Sequence, residues 1–172
     1  RITKSDLLAA ARCTAMGWIS LRTPATPLSE ADSFRMEQGR EIGEMARANF
    51  PGGVFVTPTE NETAFDVTRS LIENDTVPVL YEATVESGAF VAKADIALRS
   101  DGGWHVIEVK SSFADPMKVK PELVDDLAYT VMVFRRGGVK VTRASLALLS
   151  RSYRYGDDLG QLFEIQDVTE RV

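Results

Sequence analysis

The sequence holds one cysteine and one histidine among 172 residues. A lone cysteine forms no internal disulfide and supplies no cysteine-only zinc or iron–sulfur site. No apolar run approaches the roughly 18 residues that a membrane-crossing helix needs. No charged-then-apolar segment of the secretory kind opens the chain. A cytoplasmic, reducing setting without membrane contact is therefore expected. Internal repeats and low-complexity stretches are also missing. So is an excess of positive charge: 20 basic residues stand against 25 acidic ones, for a net charge of −5. A protein that binds nucleic acid by charge alone is usually basic, so that kind of binder is disfavoured.

What is present is enough for one packed domain over residues 1–172. The chain is 44% hydrophobic and 26% charged, an ordinary globular balance. Its charge is unevenly spread. Residues 118–154 carry eight basic side chains and only three acidic ones, leaving an acidic remainder. That division suits a protein that needs carboxylates for a metal and cations for a phosphate chain. A solvated helix face and edge strand would carry the same charges.

Apolar spacing predicts a helix over residues 3–21, with Leu7, Leu8, Ala11, Ala15, Trp18 and Ile19 on its inner side. Pro24 and Pro27 break it. Ser29 followed by Asp32 predicts a cap, and a helix running to about residue 49. A short strand over 53–57 and a helix over 59–74 follow. Three strands are predicted next, over 77–86, 89–99 and 103–110. Ser87 with Gly88, and Asp101 with Gly102, read as two-residue hairpin turns between them. A helix over 121–134 opens on proline, a strand covers 139–149, and the tail over 157–172 reads as a short helix or turn. The expected fold is α/β of the α+β kind, a mixed central sheet flanked by helices, with a core in the order α-β-β-β-α-β.

The hairpins bring carboxylates together. A turn at Asp101 and Gly102 sets Asp95 opposite Glu108 and Lys93 opposite Lys110. A turn at Ser87 and Gly88 sets Glu82 beside Lys93. Strict alternation puts Phe90, Ala92, Ala94, Ile96 and Leu98 on one face of the middle strand. Glu82, Lys93, Asp95, Glu108 and Lys110 then share the other. Opposed like charges in a sheet cost roughly 0.2–1 kcal/mol. Asp95 and Glu108 therefore suit a hard divalent cation that takes oxygen ligands, such as Mg²⁺. A solvent-exposed face neutralised by Lys93 and Lys110 is the other reading. His105 points away from Glu108 and reads as structural. Tyr153 and Tyr155 interleave with Arg151 and Arg154. That pattern binds single-stranded nucleic acid by stacking or belongs to a packed strand end.

Asp95, twelve residues, then Glu108-Val109-Lys110 resembles the D…ExK pattern of the PD-(D/E)XK nucleases, and it spans two hairpin-linked strands followed by a helix and a strand. The stretches KSDLLAAARCTAMGW, GREIGEMARANFPGG, LYEATVE, EVKSS, DDLAYTVMVF and SRSYRYGDDLGQLFEIQDVT extend the likeness over nearly the whole chain. Together they resemble an uncharacterised bacterial family of RecB-like nuclease domains, related to the CRISPR-associated RecB-like exonucleases. The resemblance implies a restriction-endonuclease-like core and a metal-dependent (deoxyribo)nuclease. Asp95, Glu108 and the Val109 carbonyl would hold Mg²⁺ or Mn²⁺. Lys110 would position or help deprotonate the attacking water. DNA would be the partner, single- or double-stranded.

Such nucleases often carry a histidine or glutamate four residues after a helix glycine. Gly43 stands at that position here, and Glu44, one residue on, is the candidate ligand. The following helix usually has a QxxxY-like motif, where this chain has Thr130. Asp126 and Thr130 could face the substrate, cap the helix or lie in the core. With Arg151 and Tyr153 they form the expected substrate-binding set. Only Cys13 matches the four cluster cysteines of the CRISPR-associated relatives, so no iron–sulfur cluster is expected. Relatives carry this module at the N-terminal end of a longer protein. The start at Arg1 fits that, and further domains of the same chain are expected partners. A catalytically weak or inactive nucleic-acid-binding or assembly module on the same scaffold is the alternative.

Overall fold

The computed structural model describes residues 1–23, 29–115 and 117–172. The expected break at Pro24 and Pro27 lies outside the described residues. The first helical stretch is two helices, α1 (Lys4–Arg12) and α2 (Thr14–Ser20), instead of one. Cys13 between them is extended, with φ −159° and ψ 121°, so the apolar period does not carry through. Trp18 and Ile19, expected inside, are exposed. Gly17 instead packs so closely on Ala10 that an added Cβ would come within 2.4 Å of the alanine Cβ. Thr3 caps α1 through a capping box: its hydroxyl accepts from the Asp6 N–H, and the Asp6 carboxylate accepts from the Thr3 N–H.

Helix α3 (Glu30–Arg47) begins after Ser29, whose side chain accepts from the Asp32 N–H. Strand β1 (Val54–Phe55) is only two residues long. Helix α4 (Ala64–Glu73) starts later than its spacing suggested, because Thr63 and Asp66 form a second capping box there. Then come β2 (Val79–Ser87), β3 (Phe90–Ser100), β4 (Gly103–Phe113), α5 (Pro121–Arg136) and β5 (Val141–Leu149). From α4 to β5 the order is α-β-β-β-α-β, as expected. The tail differs. It holds a sixth strand, β6 (Phe163–Asp167), between two single-turn 3₁₀ segments.

The six strands form one mixed sheet in sequence order. β1 with β2, and β4 with β5, are parallel. The remaining pairs are antiparallel. Helices cover both faces, giving an α+β fold. On one face α5 contributes Leu127, Val131 and Phe134 to a core with Leu80, Val85, Ala94 and Val106, and Leu7 of α1 and Phe65 of α4 pack against it. On the other, Ala46 and Ile42 of α3 meet Val79, Ile96, Ile107, Ala147 and Phe163. No helix among the described residues is long and apolar enough to cross a membrane.

The amino-terminal residues are stitched to this frame. Ile2 donates to the Ala89 carbonyl at 2.6 Å and accepts from the Val91 N–H at 3.1 Å. The Tyr129 hydroxyl of α5 stands 2.8 Å from the carbonyl oxygens of both Ile2 and Val91. Its single proton serves both. Tyr129→Phe would take this donor from the partly buried Val91 carbonyl and leave Ile2 with the Val91 N–H alone, so it is expected to cost about 1–2 kcal/mol. Urea denaturation of wild type and variant checks this.

Candidate functional site

The β3–β4 ladder runs in the expected register from Ser100 opposite Gly103 to Ile96 opposite Ile107, and stops there. Both strands continue past that point. β3 goes on pairing with β2, and β4 with β5. The sheet therefore forks just where Asp95 and Glu108 would have faced each other. The Asp95 carboxylate, not a backbone carbonyl, accepts the Val109 N–H at 2.8 Å.

The fork is matched by a second irregularity. The β2–β3 pairing passes over Glu82 and Asp95. Glu82 has φ +58° and is the one non-glycine residue with positive φ among the described residues, a backbone state that disfavours side chains of its size. Strict alternation fails here as a result. Phe90, Ala92 and Ala94 pack on the α5 side, but so does Ala97, while Ile96 and Leu98 turn to the α3 side. The β2–β3 register is also two residues from expectation. The turn is Gly88 and Ala89, so Thr84 and not Glu82 stands opposite Lys93. Gly88 supplies the positive φ, +60°, that the first turn position takes. A two-residue shift preserves the faces, and Glu82 still forms an ion pair with Lys93.

A cavity of about 500 Å³ opens between α3 and the fork. Glu82, Lys93, Asp95, Glu108, Val109 and Lys110 all border it, and Gly39, Gly43, Glu44 and Arg47 form the α3 wall. A Cβ at Gly39 would meet nothing within 4 Å, and one at Gly43 only an arginine tip at 3.8 Å. Glu44 is at the rim, mostly exposed and 3.8 Å from Arg47.

Glu108 is 4% exposed. Its Oε1 accepts from Lys110 at 3.0 Å and from Lys4 of α1 at 2.7 Å. Its Oε2 is buried and has no hydrogen-bond partner among the described residues. Lys110 also donates to Asp126 of α5. Burial opposes the Lys110 ammonium. Glu108 and Asp126 outweigh that and hold its pKa above the usual lysine value. Burial pushes the Asp95 carboxyl up to about 7, and neighbouring Glu108 adds to the shift. The Val109 N–H opposes it, Glu82 reinforces it, and Lys110 opposes it.

These observations test whether the residues suit a divalent cation. An unpartnered buried carboxylate oxygen and a second carboxylate whose ionisation is suppressed by burial and by its neighbour form a pair that a hard cation would satisfy. Asp95 and Glu108 are oxygen donors of the kind a hard divalent cation takes, while no cluster of three or more His, Cys, Asp or Glu ligands is found among the described residues.

Other expected residues lie elsewhere. Thr130 is fully buried, its hydroxyl without a partner among the described residues, so a substrate does not reach it. Residues 150–158 are not a strand end, since β5 stops at Leu149. Arg151 donates to the Ala114 carbonyl at 3.1 Å. It borders a separate cleft of about 430 Å³ with Phe113, Lys118 and Lys120. Tyr153 borders neither cavity; its hydroxyl is 3.4 Å from the Asp157 carbonyl. His105 is buried, with Nε2 2.8 Å from the Ser145 hydroxyl, and burial lowers its pKa. Lys4 was not foreseen. A lysine on a helix far upstream gives no sequence sign that it will meet a strand carboxylate.

Neither a protein-family model nor a curated protein matches the chain. A solved structure, described as the crystal structure of SSO0001, is similar with a TM-score of 0.45 and 13% identity. The match covers 98% of this chain and 66% of that one.

The raised pKa of Asp95 has a consequence for stability. The unfolded value is about 3.9, so the folded protein binds the extra proton between about pH 4 and about pH 7. Stability from this group falls as pH rises through that window. Asp95→Asn keeps an oxygen for the Val109 N–H and carries no charge. In EDTA it is expected to exceed wild type in stability at about pH 8 by on the order of 2–4 kcal/mol. At about pH 4 the two should agree. Urea titrations at both pH values check the difference.

Proposed function

We propose that this chain is a metal-dependent nuclease that hydrolyses phosphodiester bonds of DNA, with a PD-(D/E)XK-type site and a cytoplasmic setting. The observation that carries this reading is the meeting of Asp95, Glu108 and Lys110 on one cavity at the fork of the sheet. The D…ExK pattern in an α-β-β-β-α-β order, and the resemblance to RecB-like nuclease domains, add to it. Asp95, Glu108 and the Val109 carbonyl would hold Mg²⁺ or Mn²⁺, and Glu44 is the further candidate at the rim. Bound there, the cation supplies Lewis acidity toward the phosphate and lowers the pKa of the attacking water.

The chain's own groups have separable tasks. The Val109 N–H and the fork fix the Asp95 carboxylate. Lys4 and Lys110 fix one oxygen of Glu108. Lys110 is held as an ammonium by two acids, so it serves as a donor and not as a base. It orients the attacking water and stabilises the charge that builds on the phosphate oxygens. Its compact ammonium is not replaced by a guanidinium. Asp126 acts behind Lys110 and does not border the cavity.

The test is cleavage of labelled single-stranded, linear duplex and circular DNA with Mn²⁺ or Mg²⁺. Wild type is expected to cut only with metal. Asp95→Asn and Lys110→Ala are expected to lose about 100-fold or more of that rate, the scale of removing one transition-state donor. Folded wild type that shifts DNA mobility without cutting it would favour a binding or assembly module instead.

Strand β4 leads from Lys110 to the cleft of Phe113, Lys118, Lys120 and Arg151. Among the described residues none of these three cations forms a salt bridge. Phe113 is 55% exposed beneath the Arg151 guanidinium, 5.4 Å from it. Cations without a salt bridge beside a half-exposed ring suit phosphates and a stacked base, with Asp115 the one carboxylate among the described residues on the same cleft. Lys118→Ala and Lys120→Ala are each expected to reduce the slope of log affinity against log salt by about 0.7 for single strands. Fluorescence anisotropy across a salt series measures it.

A further inference from the structure

We propose that Lys4 is an internal counter-cation for Glu108, which competes with a divalent ion for that carboxylate and sets the ion concentration at which the cavity fills. This presupposes the metal-dependent reading above and adds a regulating residue to it.

Lys4 is held tightly for an amino-terminal side chain. Two residues before it, Ile2 makes two backbone hydrogen bonds to the β2–β3 turn region, and its carbonyl also lies within reach of the Tyr129 hydroxyl. One residue before it, Thr3 closes the α1 capping box. The Lys4 ammonium then comes to 2.7 Å from Glu108 Oε1 and 3.7 Å from Asp126. Its side chain is 24% exposed against 5% for that of Glu108. It does not border the cavity, so it meets the carboxylate from behind, on the α1 and α5 side.

The consequence lies in charge. With Asp95 ionised, Asp95, Glu108 and Asp126 contribute three negative charges, and Lys4 and Lys110 two positive ones. This cluster of five groups carries −1 before an ion arrives and +1 after, and the neighbouring Glu82–Lys93 and Glu44–Arg47 pairs add no net charge. Without Lys4 it would carry −2, and a divalent ion would bring it to neutrality. A low-dielectric setting makes a unit charge at this range matter strongly. Lys110 cannot relieve the excess, because it is already shared between Glu108 and Asp126. Lys4 therefore acts as a positioning residue that holds Glu108 Oε1 in place and lowers the site's affinity for cations.

The sign of the effect separates this from a purely structural role. Mn²⁺ binding to the full chain is measured from the electron paramagnetic resonance of free Mn²⁺, with no substrate present. Lys4→Met is expected to bind Mn²⁺ at least about fivefold more tightly than wild type, the direction Coulomb's law requires. Lys4→Gln, which keeps a donor but not the charge, is expected to tighten binding as well, and it covers the case in which the methionine variant fails to fold. Lys4→Arg is expected to stay near wild type. If wild type binds Mn²⁺ while Lys4→Met and Lys4→Gln match it or bind more weakly, the inference is overturned alone. If wild type binds no better than Asp95→Asn, the metal reading fails and the inference with it.

Discussion

The Asp95 carboxylate accepting the Val109 N–H is the contact on which the site depends. In an unbroken ladder that N–H would go to a carbonyl of β3. A buried backbone donor must find an acceptor somewhere, and here a side chain supplies it. The substitution lets β3 and β4 part after Ile96 and Ile107 without an orphaned amide. The parting makes room for the cavity. It also carries Asp95 into the sheet plane, where burial and Glu108 suppress its ionisation. Geometry and electrostatics at this point are one effect seen twice.

The fork is supported from both faces of the sheet. On the α3 side, Gly39 and Gly43 lie one helical turn apart and keep the wall of the cavity low. On the other side, α1 and α5 deliver Lys4 and Asp126 to Glu108 and Lys110. The two halves differ in chemistry. The α3 wall is open and bordered by charged tips, while the α1 and α5 side is a partly buried cluster of paired charges. Breaking a buried pair by removing one partner leaves the other uncompensated. The cluster is thus coupled, and a change at any of its four members is felt by the rest.

Much of this was legible in the sequence, and the limits have physical causes. The three central strands, the α5 crossover and the Asp101–Gly102 turn could be read because alternation, proline at a first helical turn and a turn glycine are local signals. The gathering of Asp95, Glu108 and Lys110 followed from one correct hairpin register. The β2–β3 register missed by two residues because Gly88 sits in either of two turns, and only the packed faces choose between them. Alternation along β3 failed at Asp95 because the fork is a tertiary event with no local code. The first helix split at Cys13, whose extended backbone goes with a close tertiary approach of Gly17 to Ala10 that local spacing does not encode. Strand β6 did leave a trace in the alternation of Phe163 and Ile165, but five residues in a polar tail are weak evidence for a strand.

The departures from local rules are concentrated. Glu82 holds a left-handed backbone, Asp95 replaces a ladder acceptor, and Glu108 keeps one buried oxygen unpartnered. All three border the same cavity. Elsewhere the chain is consistent across levels, with capping boxes at α1 and α4, proline at the start of α5 and apolar faces turned inward. Sequences tend to break such rules where function asks for it. Stability alone would not select two carboxylates beside each other, one of them with a buried oxygen that has no partner among the described residues. Lys4 and Lys110 restrain the repulsion between these acids by pairing with Glu108, and Asp95 answers it by holding its proton more tightly than a free carboxyl does.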